Sequence, residues 1–130
     1  MGYLAYKISD ESRTRLLSDF PPKFADVVCH HVTMIFGVSK PDDSTINTFN
    51  TANIPVNVVG YSEDNACEAL VVSVGEAGTV REDGKIFHIT HSLDKASGVT
   101  PKYSNAMLER VGWTPLTKPI EISGVFGFFN

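Results

Sequence analysis

Cysteine and tryptophan are scarce in this 130-residue chain, which carries only Cys29, Cys67 and Trp113 of those types. Two cysteines without ligand spacing supply no disulfide framework, and they read as a pair of buried small hydrophobes. Positive charge is also short: eleven Lys and Arg stand against fifteen Asp and Glu, for a formal charge of −4. That balance excludes the broad cationic face through which proteins hold long nucleic-acid duplexes by counterion release. No apolar run approaches the roughly 20 residues of a membrane helix. Residues Met1 to Lys7 lack the apolar stretch and cleavage site of a secretory signal, so the expected location is the cytoplasm, with no membrane partner. Low-complexity tracts, linkers and solenoid repeats are absent as well, and the expectation is a single domain over residues 1–130.

What is present suits an ordinary core, with 42% hydrophobic and 20% charged residues. Tyr3 to Ser9 is aromatic and β-leaning, and Ser9-Asp10-Glu11-Ser12 supplies a helix cap and first-turn acids for a helix ending near Phe20, before Pro21-Pro22. Val27 to Val38 is β-branched and apolar on both faces, which predicts one continuous central strand covered on both sides. A polar helix is expected over Asp42 to Asn50. Strands follow at Ile54 to Tyr61 and Ala66 to Val74, joined around Ser62 to Asn65. After a turn at Arg81 to Gly84 comes a strand over Lys85 to Ser92, then a helix over Pro101 to Val111 and a last strand over Ile120 to Phe128. Helices and strands mix without strict alternation, so the predicted class is α+β with mainly antiparallel sheets.

The four histidines form two clusters, His30-His31 and His88/His91, each within a predicted strand. Period-two alternation puts His31 and Thr33 on one face of the first strand, and His88 and Thr90 on one face of the second, with His30 and His91 pointing the other way. The same unit therefore occurs twice, His31-Val32-Thr33 and His88-Ile89-Thr90. Its chemistry suits phosphodiester cleavage. One histidine removes a proton from the attacking oxygen, another protonates the leaving oxygen, and a threonine hydroxyl on the same face binds a non-bridging phosphate oxygen.

These paired His-Val-Thr and His-Ile-Thr motifs resemble the two signatures of the 2H phosphoesterase superfamily. That family includes RNA 2′,3′-cyclic phosphodiesterases, 2′,5′-oligoadenylate-cleaving enzymes and phage proteins that hydrolyse the cyclic nucleotides of antiviral signalling. The resemblance implies a bilobed fold with pseudo-twofold related motif strands around a central cleft, and catalysis without metal or other cofactor. It assigns His31 and His88 as the acid/base pair and Thr33 and Thr90 as phosphate anchors. The implied ligand is a small nucleotide or an RNA-end cyclic phosphate. The sequence leaves open which histidine is acid and which is base, and it leaves the oligomeric state open.

Other arrangements of the same residues are a non-catalytic module that sequesters a nucleotide, and a zinc site drawn from Cys29, His30, His31, His88 and His91. The second conflicts with strand geometry, since residues three apart on a strand face opposite ways. Two further features bear on substrate. Arg81, Lys85, Lys95 and Lys102 gather in sequence around the second motif and offer a positive rim. The segment Gly98 to Asn105 opens a predicted helix whose first amides could hold an anion, with Lys102 and Tyr103 as substrate-binding candidates, Tyr103 by stacking on a base. Trp113, Phe126, Phe128 and Phe129 read as packing residues.

Overall fold

The computed structural model describes residues 1–130 as eight strands and three α-helices. Strand β1 (Gly2–Ile8) runs into helix α1 (Asp10–Asp19) through Ser9, an extended cap whose side-chain oxygen accepts the Ser12 amide at 3.1 Å. Asp10 and Glu11 lie at the positive end of the helix dipole, and Phe20 closes the helix ahead of the two prolines.

The continuous strand expected over Val27 to Val38 is instead broken into β2 (Asp26–Val27) and β3 (His31–Val38). Cys29 adopts φ 42°, a left-handed conformation that costs a non-glycine residue on the order of 1–3 kcal/mol. The Val28 and Cys29 amides hold this reversal by donating to the carbonyls of His91 and Thr90, each at 2.9 Å. Apolar pattern carries no signal for such a break, because Val28 and Cys29 suit a strand as well as a buried bend. Nor is β3 covered on both faces: Val32 is its one fully buried residue.

Helix α2 (Asp43–Thr51) is capped by Asp42, and strands β4 (Val56–Glu63) and β5 (Cys67–Val74) follow. Asp64 closes their hairpin by accepting the amides of Ala66 and Cys67, both at 2.9 Å. Strand β6 (His88–Leu93) starts at the second motif rather than at Lys85, since residues 75–87 form a loop closed by the isolated Val80–Ile86 bridge. Helix α3 (Tyr103–Val111) precedes β7 (Thr114–Ile122) and β8 (Gly124–Phe129). The single C-terminal strand expected over Ile120 to Phe128 is thus two. Pro115 and Pro119 masked β7, which tolerates them because it is an edge strand. Gly60 lies at a register shift in the β4–β7 pairing, where Trp113 packs so closely that a Cβ would sit 2.1 Å from its ring.

All strand pairings are antiparallel, in the order β7-β4-β5-β6-β3-β1-β8, with β2 on β6, and the sheet curls into a half-barrel. The class is therefore α+β. A core of fifteen buried residues, among them Leu16, Val32, Val58, Leu70, Val72, Ile89 and Phe126, packs against one face of the sheet. A smaller cluster of Cys67, Ala69, Leu93 and Met107 seats α3. Both cysteines are free and buried, and Phe126 is buried with them, while Phe128 and Phe129 are half-buried. No helix is long and apolar enough to cross a membrane.

Only one residue pair, Val32 opposite Ile89, joins β3 to β6, and both side chains are fully buried. Replacing Ile89 by Ala should cost about 2–5 kcal/mol in equilibrium urea unfolding. A loss below about 1 kcal/mol would contradict this packing.

Candidate active site

The Val32–Ile89 pairing decides where the motif side chains go. Residues on either side of a buried strand residue point to the opposite face, so His31, Thr33, His88 and Thr90 all emerge on the side away from the core. The antiparallel direction then sets His31 beside Thr90 and Thr33 beside His88. All four line one cleft of about 400 Å³, together with Tyr3, Phe36, Arg81, Asp83, Lys85, Pro101, Lys102 and Asn105. That volume lies at the lower end for small-molecule sites.

The two histidines are held differently. His88 Nδ1 lies 2.7 Å from the Ile86 carbonyl, which can only accept, so this ring nitrogen carries the proton and the neutral ring keeps a bare Nε2. Burial lowers the His88 pKa, and Arg81 adds to the effect, against the Ile86 hydrogen bond. His31 is pushed down to about 4, by burial first and then by the neighbouring charges of His30 and His88. Its ring lies 5.2 Å from Tyr3 at a shallow tilt and stacks at 6.5 Å on Phe129. Both imidazoles are thus neutral near pH 7.

The threonines differ too. The Thr33 hydroxyl faces the cleft with no protein partner. Thr90 is buried, with its hydroxyl 2.8 Å from Ser104 Oγ and donating to the Pro101 carbonyl at 3.2 Å, so it is already tied to the start of α3.

Of the cations gathered in sequence, Arg81, Lys85 and Lys102 reach the cleft and Lys95 does not. Arg81 is buried and grips Asp83 through two bonds, Nε to Oδ1 at 3.0 Å and Nη2 to Oδ2 at 2.6 Å, which holds the Asp83 carboxyl down at about 2. Lys102 lies 5.1 Å over the Phe36 ring. Tyr103, the other substrate-binding candidate, lies outside the cleft: its hydroxyl donates to Asp64, accepts from Arg110 at 2.9 Å, and its ring packs on the smaller core cluster. The first three amides of α3 are not free either. Those of Tyr103, Ser104 and Asn105 donate to Thr100, Pro101 and Lys102 carbonyls at 2.9, 3.2 and 3.1 Å.

Comparison with models of protein families, with curated proteins and with solved structures found no match. The five-residue zinc set does not assemble, and no group of three His, Cys, Asp or Glu side chains is placed to hold a metal. Cys29 is buried, with its thiol raised to about 11 by burial. His91 is fully buried and hydrogen-bonded through Nε2 to the Phe20 carbonyl at 2.7 Å, a structural role that matches its outward facing from the motif. His30 departs from the alternation rule: because it precedes β3 at the Cys29 reversal, its ring turns onto His31 instead of away from it.

Sequence reasoning missed Tyr3, Phe36, Asp83 and Asn105 as cleft residues. Phe36 is 56% exposed in a cleft lined mostly by polar residues, and Tyr3 stacks on it at 6.3 Å, giving an aromatic wall beside His31. Asn105 brings a buried carbonyl oxygen that has no partner in the protein. Strict alternation along the first motif strand puts Phe36 on the face opposite His31 and Thr33, but the register shift in the β1–β3 pairing, which passes over Met34, brings it to the cleft. Asn105 was marked only as part of the Gly98 to Asn105 segment, and nothing local marks Tyr3 or Asp83.

The depressed histidines tie stability to pH. Between about 4 and the ordinary 6.5 the unfolded chain binds the proton that folded His31 refuses, so stability is full above 6.5 and falls as pH drops toward 4. Urea unfolding should show this decline in the wild type and a shallower one in His31→Asn. Equal slopes would contradict it.

Proposed function

We propose that this chain is a metal-independent phosphodiesterase of the two-histidine type, acting on a small cyclic phosphate or cyclic nucleotide. The observation that carries the reading is the convergence of His31, Thr33, His88 and Thr90 on one cleft through the Val32–Ile89 pairing. Two neutral imidazoles with separate hydrogen-bond environments supply a base and a proton donor. Thr33 offers an unpaired hydroxyl to a non-bridging oxygen, and Thr90 joins it on exchanging its Pro101 bond for the ligand.

The surroundings fit an anion with a planar group. Arg81, Lys85 and Lys102 outnumber Asp83 around the cleft, in a chain whose net charge is negative. Tyr3 and Phe36 give a flat apolar wall of the kind on which a nucleobase stacks. The bilobed, pseudo-twofold arrangement belongs to the same reading: the halves β7-β4-β5-β6 and β3-β1-β8 meet at the Val32–Ile89 pair, with one His-x-Thr unit from each. The 2H phosphoesterase resemblance, and with it a role in RNA-end processing or in countering cyclic-nucleotide antiviral signalling, rests on the two motifs.

In the proposed reaction one histidine takes the proton of an attacking water, or of a ribose 2′-hydroxyl where the substrate has one. The threonines and nearby cations hold the phosphoryl oxygens, and the other histidine protonates the leaving oxygen. A second reading, a module that sequesters its nucleotide without turnover, draws support from the Thr90 hydroxyl being engaged within the protein. Cytoplasmic location remains part of the proposal.

The test is mass-spectrometric product analysis of chelator-treated protein with 2′,3′-cyclic mononucleotides, 3′,3′-cyclic dinucleotides and short oligonucleotides. Cleavage of one class is expected; a ligand bound and recovered intact favours sequestration. His31→Ala and His88→Ala should each lower turnover by about 10²–10⁴-fold with the thermal midpoint little changed. Full activity in both variants would overturn the assignment.

A further inference from the structure

Adjacent residues on a strand do not touch, yet His30 Nδ1 lies 3.0 Å from His31 Nδ1, with the rings near perpendicular at 81°. The contact is built, not incidental. Ile8 donates its amide to the His30 carbonyl at 3.1 Å, Arg13 Nε donates to the Cys29 carbonyl at 3.1 Å, and Phe129 meets the His30 ring edge-on at 6.2 Å. His30 is exposed, whereas His31 is half-buried in the cleft.

Two ring nitrogens at this distance share one hydrogen, one donating and the other accepting. The cleft decides the direction. His88 gives its Nδ1–H to Ile86 and keeps a bare Nε2, which is the arrangement of a base. Its counterpart must present a proton to the leaving oxygen, so neutral His31 must carry hydrogen on Nε2 and have a bare Nδ1. That bare nitrogen is the one facing His30.

On the two-histidine reading above, we propose that His30 and His31 form a proton relay, in which His30 Nδ1–H backs His31 Nδ1 while His31 Nε2–H protonates the leaving oxygen. In the step, the His31 Nε2–H bond breaks as the leaving oxygen gains its hydrogen. The Nδ1–H bond of protonated His30 breaks as His31 Nδ1–H forms. His30 ends neutral, His31 stays neutral throughout, and the proton of the attacking oxygen rests on His88 Nε2. After product leaves, water protonates His31 Nε2, the Nδ1 proton returns to His30, and His88 releases its proton to solvent.

The relay explains how a ring so disfavoured as a cation can act as an acid. The positive charge resides on the more exposed ring, out of the His88 field that helps depress His31. Lys7 from β1 and Arg13 from α1 face His30, and His88 from β6 and Tyr3 from β1 face His31. The two cations lower the His30 pKa, after burial, and so move the protonated relay toward acid pH. His30 is thus a positioning and proton-supplying residue, not one that touches substrate.

Nitrogen NMR of the histidine rings, with pH–rate profiles of His30→Phe and His30→Gln, tests this. The expected wild-type spectrum shows His31 hydrogen on Nε2 and His30 hydrogen on Nδ1; hydrogen on His31 Nδ1 overturns the relay. His30→Phe should lose about tenfold or more in kcat with KM nearly unchanged, and the limb of the profile that requires the acid should move. Glutamine can hold the His31 tautomer but passes on no proton, so His30→Gln should restore the ring assignment and not the rate. Wild-type kcat and pH profile in both variants, with His31→Ala inactive, would sink the relay and leave the two-histidine reading standing. A wild-type chain that turns over no cyclic phosphate fails that reading and the relay together.

Discussion

The pairing of Val32 with Ile89 is the constraint on which the site depends. Two sheet halves meet at this one register pair, and both residues are driven into the core by the same burial that places their flanking residues outside it. A shift of one residue would bury two histidines and two threonines and expose two aliphatic side chains. The desolvation penalty of that alternative is what fixes the register, so the core and the cleft are two consequences of one alternation.

Electrostatics then separates residues that look alike. The four histidines occupy four environments: His91 is sealed in the core on a carbonyl, His88 is turned by Ile86, His31 is desolvated in the cleft, and His30 stands in water against it. The cations follow the same logic. Arg81 is immobilised by Asp83, Lys102 leans on Phe36, and Lys85 reaches Glu109 at 3.6 Å, so only part of the positive rim is free to meet an anion.

Legibility from sequence divides along physical lines. The first two helices, the β4–β5 hairpin and the facing of His31, Thr33, His88 and Thr90 were readable, because capping oxygens, turn residues and period-two alternation are local. Three things were not. The Cys29 reversal leaves no mark in hydrophobicity, and with it the turning of His30 onto His31 was hidden. Strand β7 carries two prolines that only its edge position explains. The displacement of Tyr103 from the cleft depends on Asp64, distant in sequence, which also holds Arg110 two turns along α3, and Tyr3, Phe36 and Asn105 arrive at the cleft through the same kind of long-range pairing and packing.

The most direct measurement is kcat/KM against pH from 4 to 9 in chelator, on whichever cyclic phosphate the chain cleaves. A paired acid and base predict a bell whose limbs lie on the acid side of ordinary histidine, because burial lowers the pKa both of His88, the base, and of the His30–His31 pair that supplies the acid. A flat profile from 5 to 9, or no product from any cyclic phosphate, would contradict catalysis by these two histidines.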